Sequence, residues 1–261
     1  MSDRDGEIKA CCAGFYQSDI VRMLLGDVLH PGGLELTRHL GEVLALTSND
    51  TVIDVACGRG TSAVHLAKSF GCRVSGVDFS PENIVAAEAL AASQGVSHIA
   101  RFTCGDAEGL PYADAEFDVA VSECSLCTFP DKQAAATDLR RVLRDGGRLG
   151  ITDVTVEGSL PDDIQTMLAW VACVSGACSR AGYVSLLRDA GFDGFTVEDH
   201  AAAGRAMIED IRRKLLGFSM IADLGKLNLG DLDIKGTREG LDRVANLIDE
   251  GVLGYALITA R

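Results

Sequence analysis

Apolar side chains recur every three or four residues in some segments of the chain and form short continuous runs in others. The first pattern is typical of helices, and short β-branched runs are typical of buried strands. Helical spacing predicts helices over residues 15–29, 34–46, 61–70, 81–95 and 132–147. Short apolar runs predict strands within residues 51–60, 72–80, 100–112, 117–126 and 148–154. Because strands and helices alternate, we expect an α/β fold with a doubly wound, mostly parallel sheet.

The pattern changes after residue 155. Helical spacing continues over residues 161–177, 179–192, 205–223 and 237–250, and strands are predicted at 195–201 and 251–261. We therefore expect three parts: an N-terminal helical lid over residues 1–46, a nucleotide-binding core over 47–155, and a variable C-terminal lobe over 156–261 that completes the sheet.

Charge and composition restrict the class of partner. The net charge of -14 disfavours nucleic acid, because an acidic surface repels phosphates. No apolar stretch approaches the ~20 residues that span a bilayer, and the charged N-terminus lacks the apolar run of a signal peptide. We expect a soluble cytoplasmic protein whose nine cysteines are scattered thiols rather than a disulfide framework. The pattern does not predict an oligomeric state.

A glycine-rich turn follows the first predicted strand in the sequence DVACGRG, residues 54–60. Gly58 and Gly60 allow a tight turn and a close approach of the backbone to a ligand. The next strand ends at Asp78, where a carboxylate can accept both ribose hydroxyls of an adenosine. A dinucleotide fingerprint would place a third glycine at Ala63, and the acid at Asp54 would repel a pyrophosphate. The turn therefore favours a cationic adenosine cofactor.

Four segments in this order resemble the class I S-adenosylmethionine-dependent methyltransferases: VIDVACGRGTS, VSGVDFSPENI, FTCGDAEGLPYADAEFDVAVS and LRRVLRDGGRLGITD. The resemblance implies a Rossmann-like core, S-adenosylmethionine as the cofactor, and a set of residues that bind it. In that set, Asp54, Gly58 and Gly60 line the methionine end, Asp78 binds the ribose, Asp106 and Ala107 lie beside the adenine, and Ser122 closes the pocket near the sulfonium. Ala56, where the family usually has glycine, Phe79, and Tyr16 on the lid helix complete the cofactor-binding set.

The loop after the fourth strand, SECSLCTFPDK (residues 122–132), lies over the methyl group in this fold. Thiolates prefer soft atoms, and trivalent arsenic is soft and carries its own nucleophilic lone pair. The loop is similar to that of the arsenite methyltransferases, which have one cysteine after strand four and a second in a C-V/L-x-G-A context. Cys124 and Cys173 match those two positions, and the resemblance implies that they hold the metalloid substrate.

Other side chains are candidates for the same chemistry. Cys127 is an extra thiol three positions beyond Cys124, and Cys12, adjacent to Cys11, can supply a third thiol or act as a reductant. Glu123 is a candidate catalytic carboxylate.

Two alternatives stay open. In the first, the protein is a small-molecule C- or O-methyltransferase with Glu123 or His30 as general base and with cysteines that only pack. In the second, it is a non-catalytic module that binds the cofactor or a metalloid. A structural zinc site is disfavoured, because the chain has one C-x-x-C pair and such a site needs four ligands.

Overall fold

The structure is a computed structural model that describes residues 23–24, 26, 28–160, 173–174, 176–223 and 233–261. Seven strands form one sheet: β1 Thr51–Val55, β2 Arg73–Asp78, β3 Ala100–Cys104, β4 Phe117–Glu123, β5 Leu143–Val156, β6 Thr196–Asp199 and β7 Leu253–Ala260. Within the described residues, seven helices accompany them: α1 Gly33–Val43, α2 Thr61–Phe70, α3 Pro81–Ser93, α4 Lys132–Val142, α5 Arg180–Asp189, α6 Ala201–Asp223 and α7 Ile234–Asp249. A 3-10 turn spans Leu126–Thr128.

The strand order is β3-β2-β1-β4-β5-β7-β6. Strands β3 to β5 pair in parallel, whereas β7 is antiparallel to both β5 and β6. The direction of winding reverses between β1 and β4, and in open α/β sheets ligands bind beyond the carboxyl ends of the strands at that point. The ends of β1 and β4 are therefore where the site is expected.

The central strands are buried on both faces, which explains their continuous apolar runs. Val52, Ile53 and Val55 of β1 are completely buried, and helices pack on each side of the sheet. Helix starts follow the local sequence: Ser80 accepts a hydrogen bond from the Asn83 N–H at the start of α3. These features confirm the predicted doubly wound, mostly parallel α/β sheet.

One predicted helix ends earlier than its sequence pattern suggests. The helix expected over residues 132–147 ends at Val142, and Leu143 already pairs with Phe117 in the sheet. The N–H groups of Ala115 and Glu116 donate to the carbonyls of Arg141 and Val142, both at 2.9 Å. These distant donors satisfy the last carbonyls of the helix, so the following residues can turn into β5.

Two predicted helices, over residues 15–29 and 161–177, lie mostly outside the described residues. The expected C-terminal strands are present as β6 and β7 and complete the sheet. Among the residues that the structure describes, none of the helices combines the length and apolar character needed to cross a membrane.

Candidate active site

A cavity opens at the carboxyl ends of β1, β2 and β4, around the glycine-rich turn, and we call it the turn cavity. Nine residues that the sequence placed at the cofactor or acceptor line it: Asp54, Ala56, Gly58, Asp78, Phe79, Asp106, Ala107, Glu123 and Cys124. Ser62, Asn83, Ser125, Thr128 and Phe129 also line it, and the sequence patterns did not single them out.

Asp54 is the most electrostatically unusual residue of the turn cavity. Its side chain is buried, and one carboxylate oxygen, Oδ2, has no hydrogen-bond partner. Burial raises the pKa of Asp54 well above its usual value, and the nearby carboxylates of Glu123 and Asp78 raise it further. An unpartnered buried acceptor that lines a cavity fits a cationic donor from a ligand, such as an amine.

The glycine turn and Asp78 hold each other in place. The Gly58 N–H donates to Oδ2 of Asp78 at 2.8 Å. The N–H of Ser80 and the side-chain amide of Asn83 donate to Oδ1 of Asp78 at 2.9 and 3.0 Å. A carboxylate has about four acceptor positions, so about one remains for a ligand hydroxyl. This geometry accommodates one strong ribose contact more readily than the two that the sequence suggested.

Ala56 has a left-handed backbone, with a φ of 61°. Glycine adopts this conformation at little cost, whereas an L-residue is disfavoured there. The resemblance places a glycine at this position in the family, and the backbone gives the physical reason. In this chain Ala56 stands at that position and lines the turn cavity.

Two predicted cofactor residues, Gly60 and Ser122, lie outside the lining of the turn cavity. A Cβ atom on Gly60 would lie 2.7 Å from the Cβ of Ala87 and 2.9 Å from the ring of Phe102, so this glycine is required by packing. The Ser122 hydroxyl is buried and shares a 2.6 Å hydrogen bond with the hydroxyl of Ser125.

Glu123 and His30 meet at one wall of the turn cavity. The Nε2 atom of His30 lies 3.5 Å from Oε2 of Glu123, and both side chains are almost fully buried. The Thr37 hydroxyl donates to the same Glu123 oxygen at 3.0 Å, and His30 Nε2 also lies 3.3 Å from the hydroxyl of Ser62. A histidine and a carboxylate held in this way form a candidate proton-accepting pair.

A second cavity, which we call the aliphatic cavity, adjoins the turn cavity and shares Leu29 and Cys124 with it. Most of its lining is apolar and comes from α6, α7 and the start of β7: Met207, Ile208, Val244, Ile248 and Leu253. Cys173 and Tyr255 also line it. An apolar cavity with a few polar groups beside a cofactor site is typical of a small-molecule binding site.

Three of the predicted thiols form one cluster, in which Cys124 and Cys173 line the aliphatic cavity and Cys127 is buried. The Cys173 side chain is hydrogen-bonded to the thiols of both Cys124 and Cys127. The hydrogen bond with Cys173, together with burial, raises the pKa of the Cys124 thiol well above its usual value. Burial, and then the contact with Cys173, does the same to the pKa of Cys127. Cys124 and Cys127 are therefore protonated at neutral pH before they meet a ligand.

Asp153 supports the thiol cluster, and no sequence pattern pointed to this residue. The backbone N–H of Cys127 donates to its Oδ2 at 2.9 Å. Burial raises the pKa of Asp153 to about 7, although hydrogen bonds from Cys127 oppose this shift. The available signal was a lone acid inside the apolar strand LGITDVTV, because a buried acid needs a partner.

The approach of Cys173 to Cys127 depends on Gly176, which belongs to the C-V-S-G-A segment. A Cβ atom on Gly176 would overlap the backbone carbonyl oxygen of Cys127. The glycine therefore allows the segment that carries Cys173 to pack directly on the loop after β4.

Cys124 also has a left-handed backbone, with a φ of 54°. Non-glycine residues in this region are strained, and such strain is common at functional sites. The remaining predicted site residues, Tyr16, Cys11 and Cys12, lie outside the described residues.

The sheet order and the cavities at the switch point define an α/β fold built to bind a nucleotide-like cofactor beside a small-molecule pocket. A family model described as a methyltransferase domain matches residues 46–191, which is more than half of the chain, and the chain belongs to this family. Membership confirms the predicted class of enzyme, a S-adenosylmethionine-dependent methyltransferase.

Individual relatives differ in how much of the chain they match. Methyltransferase GfsG of Streptomyces halstedii is 30% identical over 243 residues, 90% of this chain and 82% of that protein. An arsenite methyltransferase of Halobacterium salinarum is 34% identical over 152 residues, 57% of this chain and 39% of that protein. The crystal structure of the cyclase SpnF has a TM-score of 0.68 and 28% identity, over 87% of this chain and 80% of that chain.

Proposed function

We propose that the protein transfers a methyl group from S-adenosylmethionine to a thiophilic acceptor held by Cys124 and Cys173, with trivalent arsenic as the best candidate. The observation that carries this proposal is the thiol cluster. Cys124 and Cys173 are 49 positions apart in sequence, yet their side chains interact, and both line the aliphatic cavity.

The turn cavity supplies groups that fit the cofactor. The unpartnered carboxylate oxygen of Asp54 suits the amine of the methionine end, and Asp78 has about one acceptor position for a ribose hydroxyl. Phe79, Asp106 and Ala107 line the same cavity, and the resemblance assigns Asp106 and Ala107 to the adenine. When bound, S-adenosylmethionine supplies an electrophilic methyl group.

The thiols would bind the acceptor by condensation. Each protonated thiol exchanges with one hydroxyl of trivalent arsenic, an As–S bond forms, and the thiol proton leaves with that hydroxyl as water. The raised pKa values of Cys124 and Cys127 are compatible with this reaction, because no free thiolate is required before binding. The arsenic lone pair is then the nucleophile, so no general base is needed, and the chain contributes mainly orientation.

The test is product analysis by mass spectrometry after incubation with arsenite and isotopically labelled S-adenosylmethionine. We expect Cys124→Ser and Cys173→Ser each to lower kcat/KM for arsenic methylation more than about tenfold, or roughly 1.4 kcal/mol of transition-state stabilisation. Cys104→Ser is the matched control, because Cys104 is an exposed thiol at the end of β3. Unchanged arsenic methylation in both site variants would reject the thiol proposal.

A second candidate is methylation of an oxygen or carbon on an apolar small molecule. The aliphatic cavity favours it, and so does the near full-length match to methyltransferase GfsG, whereas the arsenite methyltransferase matches only part of the chain. In this case the Glu123–His30 pair would accept the proton. Glu123→Gln then abolishes methylation of the organic acceptor, and Cys173→Ser leaves it nearly unchanged.

The predicted division of the chain into three parts is compatible with an arsenic acceptor and with an organic acceptor. We propose that residues 1–46 act as a lid, that 47–155 bind the cofactor, and that 156–261 select the acceptor, since α6 and α7 line the aliphatic cavity.

The described residues contain seven cysteines, and none of them forms a disulfide. We propose a cytoplasmic location, where such thiols stay reduced.

A further inference from the structure

A second group of metal-ligating side chains lies on helix α1 and strand β6. His39 comes from α1, Glu198 from β6, and His200 from the residue just before α6. The Nε2 atom of His39 lies 2.7 Å from Oε2 of Glu198, and Nε2 of His200 lies 3.2 Å from the same oxygen. Within the described ranges, this is the one set of three His, Cys, Asp or Glu side chains whose ligand atoms all lie within 4.8 Å of one another.

The donor set has the composition of an open transition-metal site. Two imidazoles and one carboxylate bind zinc with a fourth position left for water or another ligand. Bonds of about 2.0–2.1 Å at a tetrahedral angle place the nitrogen and oxygen ligands about 3.3 Å apart. The His200–Glu198 distance already fits that value, and His39 needs to move outward by roughly 0.6 Å.

The surroundings leave room for that movement. All three side chains are partly exposed, with 40% of His39, 34% of Glu198 and 23% of His200 accessible. The backbone N–H of His200 donates to the carbonyl of Tyr255 at 2.7 Å, which fixes this residue against β7. His200 is therefore held by the sheet, and His39 is carried by helix α1.

We propose that His39, Glu198 and His200 form a binding site for a divalent cation of the zinc class, and that the bound ion ties α1 to the C-terminal part of the sheet. Helix α1 also carries Thr37, whose hydroxyl donates to Glu123 at the turn cavity. The ion replaces the imidazole–carboxylate hydrogen bonds and holds α1 in its position beside the active site.

The test uses the full-length reduced protein and Co²⁺ as a spectroscopic probe for zinc, because cobalt bound to thiolates shows a charge-transfer band that imidazole and carboxylate ligands do not give. We expect one equivalent of Co²⁺ to bind without this band and zinc to compete for it. His39→Ala and His200→Ala should each weaken this binding at least tenfold, since losing even an outer-shell partner of a metal ligand typically costs 10–100-fold. His98→Ala is the matched control, because His98 is an exposed histidine between α3 and β3.

Hydrogen exchange provides an independent readout. Zinc should slow amide exchange in α1 in the wild type and in His98→Ala, but not in His39→Ala. If cobalt binds only with the thiolate band, or if His39→Ala binds as tightly as wild type, the three side chains are a hydrogen-bonded cluster and the proposal is wrong.

Discussion

Replacing Asp54 with asparagine should stabilise the cofactor-free protein while weakening cofactor binding. Asp54 is buried, one of its oxygens has no partner, and its pKa is raised by burial and by the carboxylates of Glu123 and Asp78. Between its unfolded pKa of about 3.9 and its folded pKa, the folded state binds more protons than the unfolded state. Stability therefore falls as the pH rises through that window.

The size of the effect follows from the cost of an unsatisfied buried group. Leaving a buried polar group unsatisfied costs about 1–3 kcal/mol. Asp54→Asn replaces the ionisable carboxyl group with a neutral amide and so removes the part of this cost that comes from charge. A kcal/mol shifts the Tm of a protein of this size by about 2–4 °C, so the variant should melt about 2–12 °C higher near pH 7.5. Near pH 4 the two proteins should melt together. The lost charged hydrogen bond should weaken S-adenosylmethionine binding about 10- to 100-fold.

The assay is thermal unfolding across pH 4–8 without cofactor, combined with calorimetric titration of S-adenosylmethionine. Asp78→Asn is the contrasting variant, because Asp78 already accepts three protein hydrogen bonds and should lose stability when replaced. A lower Tm for Asp54→Asn near pH 7.5, or unchanged cofactor affinity, would refute the assignment of Asp54 as an unpartnered carboxylate that awaits a cationic ligand.

Other predictions concern backbone conformation and the thiol cluster. Ala56→Gly should raise the free energy of unfolding by up to about 1 kcal/mol in urea titrations, because its left-handed backbone disfavours alanine. Gly60→Ala should cost about 2–5 kcal/mol by the same assay, since it adds a clash to left-handed strain, whereas Gly58→Ala, with open space around it, should cost only about 1–2 kcal/mol. Asp153, with its pKa raised to about 7, should make the folded state less stable as pH rises from about 4 to 7. Asp153→Asn should flatten that dependence in thermal unfolding, and an unchanged slope would contradict the assignment.

Much of the fold could be predicted from the sequence because its central strands are buried on both faces. A short β-branched run such as residues 51–53 has few alternatives in a chain where strands and helices alternate. The end of α4 could not be predicted, because the donors that cap it come from Ala115 and Glu116, far from the helix in sequence. Local patterns do not contain that information.

The residues of the candidate site that stand at the ends of strands could be predicted from the sequence. Asp54 and Asp78 stand at the ends of strands, and the topology alone brings those ends together. The role of Gly60 could not be predicted, because the sequence does not distinguish a glycine that packing requires from a glycine that contacts a ligand. The meeting of Cys124 with Cys173 could be expected only by resemblance, because it depends on how the segment around Gly176 packs.

Because Leu29 and Cys124 belong to both cavity linings, the two cavities meet at these two side chains. Among the described residues, Leu29 and Cys124 are where an acceptor in the aliphatic cavity would meet the turn cavity, so its nucleophilic atom would have to project from one end or edge of the molecule. Selectivity would then depend on where the reactive atom is placed in the acceptor more than on the acceptor's total size. A larger side chain at position 124 would close the boundary between the cavities and leave a protein that still binds its cofactor but no longer transfers the methyl group.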